Sequence, residues 1–355
     1  MKTVLVARLD SDGDVLLAGP AVRAVAAGAD RVVLLCGPRG RAAAELLPGV
    51  DDVVVWHCPW IDAEPSPVDR PSVERLVDRV RARGVDEALV LTSYHQDPLP
   101  LALLLRLAGV GRIAAVSEDY PGSLLDVRHR LPETGLHEVE RMLSLAAAAG
   151  FWPPAGDDGM LAVRSPLPDT RALTGNDPYV VMHPGASVQA RAPSPQRAAA
   201  MVDALVTGDR RVLVTGSPGE RPLTAQVAGA PRAGRVCDLG GRTDLARLAD
   251  VLSRADAVVV GNTGPAHLAA AVGTPVVSPF APTVPAVRWR PWGVEHELLR
   301  RDVPCAGCRA RACPVPGHPC LSGVSETEAL AAVERLAPMG RLDRAAPRPP
   351  ARLAA

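Results

Sequence analysis

The segment RLDSDGDV, residues 8–15, places Asp10, Asp12 and Asp14 at alternate positions just after an apolar run. Carboxylates crowded together repel one another as anions, which raises the pKa of at least one. A carboxylate tuned in this way is a candidate general base for an attacking hydroxyl. Asp14 stands at the expected start of a helix, and Gly13 lets the chain turn there. Asp10 belongs to the strand end and Asp12 to the turn, where solvation or capping is the ordinary role. Asp14 is therefore the expected base. The plain alternative is that Asp10 or Asp12 caps the helix while the others are solvated.

Three later loops carry residue types suited to an anion. HPGAS, residues 183–187, contains His183, Gly185 and Ser187, and its small residues let the backbone approach a ligand. TGSPGE, residues 215–220, contains Thr215 and Gly216 and puts Glu220 in the first turn of an expected helix. GNTGPAH, residues 261–267, runs through Asn262, Thr263, Gly264 and Pro265 to His267. A helix start offers unpaired N–H groups to phosphate. The helix dipole disfavours a cationic His267 there, unless an anion is bound at the same end. Each loop alone is equally an ordinary strand-to-helix turn, and His267 an ordinary half-buried histidine. Glu220 either complements the dipole or binds ribose hydroxyls.

These loops need strands to carry them. Apolar runs at 3–9, 31–36, 52–56, 87–93 and 112–116 alternate with helical stretches at 15–28, 72–83 and 99–108. A further helix at 137–150 ends at Gly150. The segment 151–178 is rich in Pro, Gly and Asp and reads as a linker with one short strand at 160–164. The alternation restarts with strands at 179–183, 211–216, 235–240, 257–261 and 275–280. Helices are expected near 194–207, 220–229, 243–254 and 263–272. Strand–helix alternation at this spacing means parallel sheets with helices on both faces. The expected organisation is two α/β domains, 1–165 and 166–324, a helix over 325–340 and a disordered tail over 341–355. Ser325 with Glu328 has the capping-box spacing. Ligands of such sheets bind beyond the carboxyl ends of the strands, where all four loops fall.

The composition narrows the function classes. The 355 residues carry zero formal net charge and are 47% hydrophobic, which gives no electrostatic case for nucleic acid or an anionic membrane. No run is long and apolar enough for a transmembrane helix. The N-terminus lacks signal-peptide character, so a cytoplasmic location is expected. Lys2 is the only lysine, which excludes a P-loop.

Taken in order, RLDSDGDVLLAGPAVRAV, HPGAS, TGSPGE, DLGGRTDL and GNTGPAHLAAAVGTPVVSPFAPT resemble glycosyltransferase family 9, the ADP-heptose heptosyltransferases. The resemblance implies a GT-B fold of two facing Rossmann-like domains, the first holding the acceptor and the second the nucleotide sugar. It implies an inverting, metal-independent transfer, with ADP-heptose as the favoured donor. The acceptor would be a glycan, a lipid-linked or a small-molecule hydroxyl. Asp14 falls at the family's proposed base. His267 and the N–H groups of Thr263 and Gly264 fall at the donor diphosphate. Thr215, Gly216, Glu220, Leu239 and Gly240 fall around the nucleoside. The family usually has lysine after GAS, where this chain offers Arg191, a planar fork in place of a point charge. It often has aspartate before TGP. Asn262 stands there instead, able to bond hydroxyls but not to act as a base. A non-catalytic nucleotide-sugar binder and a UDP-sugar epimerase of the same fold are the alternatives.

Cys305, Cys308, Cys313 and Cys320 cluster with His318 near the C-terminus, out of seven cysteines in all. The Cys-x2-Cys pair suggests structural zinc, although the x4 and x6 spacings that follow fit no standard knuckle. Disulfides and reduced thiols compete with zinc, and a cytoplasmic location counts against disulfides. No catalytic cofactor is expected.

Overall fold

The computed structural model describes residues 1–339, apart from 94, 133–134 and 231–233. The expected disordered tail lies outside the described residues. The chain divides into two compact units, with the division between Arg164 and Ser165.

The first unit contains six strands: β1 (Thr3–Arg8), β2 (Arg31–Cys36), β3 (Asp52–Val55), β4 (Glu87–Val90), β5 (Arg112–Val116) and β6 (Val127–His129). They form one parallel sheet in the order β3-β2-β1-β4-β5-β6. All six residues of β1 are buried, which is why the strand reads as a continuous apolar run rather than an alternation. Leu5, Ala7, Val33 and Leu35 form one core cluster with Leu76 and Val80 of helix Arg70–Arg81 and Leu101 and Leu105 of helix Leu99–Leu107. Helices Gly19–Ala26 and Glu138–Ala148 pack on one another and on β2 and β5.

The second unit repeats the plan. Its strands are β7 (Val180–His183), β8 (Val212–Val214), β9 (Val236–Asp238), β10 (Val258–Val260), β11 (Val276–Pro279) and β12 (His296–Leu299). They are again parallel, in the order β12-β11-β10-β7-β8-β9. Val180, Met182, Val212 and Val259 cluster with Met201 and Leu205 of helix Pro195–Thr207 and Val333 of helix Glu326–Leu336. Ser325 and Glu328 close the expected capping box at the start of that last helix. Counted from its own first strand, each sheet has the doubly wound order, with the direction of winding reversing between β1 and β4 and between β7 and β10. Those switch points are where such sheets take ligands.

Several local expectations are corrected. The first helix is two, Asp12–Leu17 and Gly19–Ala26, so it opens at Asp12 rather than Asp14. Residues 160–164 form no strand. Arg164 instead donates to the Leu46 carbonyl through its N–H and to the Leu47 carbonyl through Nε, each at 2.8 Å, answering acceptors at the end of helix Arg41–Leu46. Strands β6 and β12 were not expected from the sequence. Both lie at sheet edges, and every residue in them is only half-buried.

Candidate functional site

β1 ends at Arg8, whose side chain is fully buried. Its Nη2 lies 3.0 Å from Asp14 Oδ1 and 2.9 Å from Ser93 Oγ, and its Nε 3.1 Å from Asp10 Oδ2. Burial alone would lower the Arg8 pKa, but Asp10, Asp14 and Glu138 together hold it above its usual value. Gln96 donates to Asp10 Oδ1 at 2.6 Å, and Ser11 Oγ donates to Asp14 Oδ2 at 3.1 Å. Burial pushes the Asp10 carboxyl up to about 6, with Arg8 opposing and Asp14 adding to the rise. The Asp14 side chain is the more open of the two, 24% exposed against 15% for Asp10. The crowded aspartates thus become two carboxylates gripping one buried cation.

Asp12 stands apart from that grip. Its Oδ1 accepts the Ala43 N–H at 3.0 Å, so it caps helix Arg41–Leu46 across the fold, and burial raises its pKa. It neither caps its own helix nor lies open to solvent. Arg8, Ser93 and Gln96 escaped the sequence reading. Their signal was positional: Arg8 closes β1 and the other two follow β4, the strands on either side of the first switch point.

In the second unit the loops after β7, β8 and β10 converge through close backbone approaches. His183 is buried and its Nδ1 lies 3.0 Å from Thr215 Oγ1. Burial lowers the His183 pKa, and the Glu220 carboxylate opposes this. Glu220 accepts the Ser217 N–H at 2.7 Å in a capping box. It closes a 3-10 turn, Pro218–Glu220, ahead of helix Arg221–Ala228 rather than sitting inside that helix. Glu220 lies directly over Gly185, where a Cβ would stand 1.9 Å from Oε1. Gly216 and Gly240 are crowded by Thr224 in the same way, at 2.6 and 2.0 Å. Leu239 is buried in the core, its N–H donating to the Val214 carbonyl and its own carbonyl accepting the Arg242 N–H.

HPGAS does not open directly into a helix. A 3-10 turn, Gln189–Arg191, intervenes, and helix Pro195–Thr207 has its own cap in Ser194. Ser187 is exposed and Arg191 half-buried. After β10 the helix is Gly264–Ala271, with Thr263 at the N-cap and Pro265 in its first turn. Thr263 N–H donates to the Gly261 carbonyl at 2.9 Å and Ala266 N–H to the Thr263 carbonyl at 3.0 Å. Pro265 has no N–H, and the Thr263 and Ala266 amides are taken up within the turn, so Thr263 does not share the anion-binding role expected of it with Gly264. His267 is in the first turn, 5% exposed. Asn262 turns inward: its amide donates to the Ala281 carbonyl and accepts the Ala281 N–H, both at 3.2 Å. Its side chain is a structural clamp rather than a hydroxyl-binding group.

Cys305, Cys308, Cys313 and Cys320 are free thiols that line one small cavity together with His318. Burial raises the Cys320 thiol, and the three neighbouring sulfurs add to the rise. Among the described residues no three His, Cys, Asp or Glu side chains are arranged to hold a metal ion, so the zinc reading finds no preformed ligand set. Among the same residues no helix is long and apolar enough to cross a membrane.

Comparison with known proteins bears on the family and the fold. The sequence profile of glycosyltransferase family 9 (heptosyltransferase) matches residues 73–318. Lipopolysaccharide heptosyltransferase 3 of Escherichia coli is 27% identical over 286 residues, covering 74% of this chain and 78% of the relative. Lipopolysaccharide heptosyltransferase 1 of Pseudomonas aeruginosa is 30% identical over 244 residues, 66% of this chain and 65% of the relative. Among solved structures, E. coli ADP-heptose heptosyltransferase II superposes with a TM-score of 0.71 over 95% of this chain and 98% of its own, at 17% identity. E. coli heptosyltransferase WaaC with ADP-2-deoxy-2-fluoro heptose superposes with a TM-score of 0.69 over 94% and 99%, at 20% identity.

Proposed function

Because the chain belongs to glycosyltransferase family 9, we propose that it moves a heptose or closely related sugar from a nucleotide sugar to an acceptor hydroxyl, inverting the anomeric centre. It is a glycosyltransferase, and its two parallel sheets make the GT-B fold. ADP-heptose is the favoured donor, because relatives across the family carry heptosyltransferase names and the WaaC structures hold ADP or an ADP-heptose analogue. The acceptor is a hydroxyl of a glycan, a lipid-linked sugar or a small molecule. Free thiols throughout fit the cytoplasm as the place of action.

The observation that carries the catalytic reading is the Arg8–Asp14 contact at the first switch point. Asp14 accepts the hydroxyl proton as that oxygen attacks C1, and the bond from C1 to the diphosphate breaks. Arg8 and Ser11 hold Asp14 in one orientation, which lowers the entropy lost in reaching the reactive geometry. In the second unit the leaving diphosphate gains charge. The Gly264 N–H at a helix start, His267 and Arg191 meet that charge, and no metal is assigned to the step. Glu220 and the glycines Gly185, Gly216 and Gly240 frame the nucleoside. A pure nucleotide-sugar binder has no use for a carboxylate pair clamped on a buried arginine. The test is release of ADP from ADP-heptose with a candidate acceptor, in parent and Asp14→Asn protein. Parent protein that turns over none of the ADP-, GDP-, UDP- or dTDP-sugars with any acceptor class would refute the reading.

A further inference from the structure

The turn Gln189–Arg191 presents the arginine to which the donor reading gives phosphate charge, and it is held from two sides. On one side Gly261 leaves room for the Arg191 carbonyl, since a Cβ at 261 would stand 2.4 Å from that oxygen. On the other side lies the cysteine-rich loop 303–320. The Arg311 carbonyl accepts the Ala190 N–H at 2.9 Å. His318 Nε2 lies 3.1 Å from the Ala190 carbonyl. A carbonyl only accepts, so Nε2 carries the proton and donates it. His318 has φ of 50°, in the left-handed region that residues with a Cβ seldom adopt. Its side-chain bond gives a reason for a histidine at a place where glycine would be easier.

The loop is itself anchored to the donor-side framework. Gly307 N–H donates to the Pro282 carbonyl at 2.7 Å and Arg309 N–H to the Thr283 carbonyl at 3.0 Å. The adjoining residue, Ala281, is the one that Asn262 clamps. A line of hydrogen bonds therefore runs from the His267 loop through residues 281–283 and the cysteine-rich loop to the Arg191 turn. We propose that loop 303–320 is a brace for the donor's phosphate turn, with His318 its positioning residue, and that alkylation in the cavity lined by its four thiols loosens that brace, a thiol sulfur adding to one carbon of a maleimide double bond and its proton ending on the other. This rests on the reading of Arg191 as a donor contact. Cys308 is exposed and Cys305 and Cys313 are half-buried, so reagents reach the cavity. Cys36 and Cys58 are buried with thiols pushed up to about 12, which leaves them inert at neutral pH.

The test measures ADP binding by calorimetry on full-length protein: parent, His318→Ala, His318→Gln, and Cys237→Ser before and after N-ethylmaleimide. His318→Ala should raise the Kd for ADP by about tenfold, because the turn must then be ordered on binding. Turnover at saturating donor should change by no more than about twofold, the mark of lost ground-state positioning. His318→Gln keeps an N–H donor and should recover most of the affinity. Alkylated Cys237→Ser protein should lose affinity like His318→Ala, and this arm decides the matter should His318→Ala fail to fold. Parent binding of ADP with no effect of either treatment overturns the brace alone. A parent that binds none of ADP, GDP, UDP or dTDP overturns the donor reading and the brace with it.

Discussion

At the scale of single residues, one cation is shared between two carboxylates. Arg8 is buried, so its charge is weakly screened and is divided between Asp10 and Asp14. Asp14→Asn keeps the shape and one acceptor oxygen but removes the carboxylate that the proposed reading makes the proton acceptor. Turnover should fall by about 10²–10⁴, measured as nucleoside diphosphate release. Asp12→Asn should cost far less activity, since Asp12 is tied to Ala43. Asp10 supplies a pH signature. Its folded pKa is raised from 3.8 to about 6, so the folded protein holds that proton where the unfolded chain has lost it. The stability associated with the protonated form is complete below about 4 and is lost as pH rises through about 6. Activity is expected to follow the same group: below about 6 Asp10 is neutral, and the Arg8 charge then falls on Asp14 alone. The expected kcat/KM profile bends near pH 6, and in Asp10→Asn the bend should move lower. A profile identical in parent and variant would remove Asp10 from the working pair.

At the scale of elements, the glycines separate fold from function. At Gly185 an added Cβ meets the carboxylate end of Glu220, a flexible side chain that can swing aside. At Gly261 it meets the Arg191 carbonyl, which is backbone. Gly185→Ala should therefore leave the melting temperature within a few degrees of the parent while weakening ADP binding, because on the proposed reading the displaced Glu220 leaves the nucleoside frame. Gly261→Ala must move the chain itself and should lose both stability, by about 1–3 kcal/mol, and donor binding. Thermal melts paired with calorimetry distinguish the two. The same contrast explains what the sequence could reveal. The eight interior strands were legible because a parallel strand buried on both faces is an unbroken apolar run; β6 and β12, three and four half-buried edge residues, carry no such run. The site loops were legible because they follow those strands. The inward turn of Asn262 and the outward capping by Asp12 were not, because their partners lie 19 and 31 residues away and nothing local marks them.

At the scale of the whole molecule, two sheets of the same strand order carry chemically different switch points. The first has acids around a buried arginine; the second has a helix start, small residues and a histidine. On the proposed reading, one chain carries a proton-accepting end and an anion-accepting end on the same plan, as a transfer from a diphosphate to a hydroxyl requires. If each unit keeps to its own task, lesions in the two should have separable signatures. Asp14→Asn should change turnover but leave the Kd for ADP within about twofold of the parent, since the nucleotide's contacts are assigned to the second unit. On the proposed reading His267→Ala removes a charge-assisted bond to phosphate, and it should then weaken ADP binding by about 1.5–3 kcal/mol, roughly 10- to 150-fold. His267 is 5% exposed, so a thermal melt must accompany the measurement to show that the fold survives the vacated volume. The decisive comparison is the pair of titrations on folded protein. Loss of ADP affinity in Asp14→Asn, or full affinity in His267→Ala, would mean that the two switch points do not divide the reaction in this way.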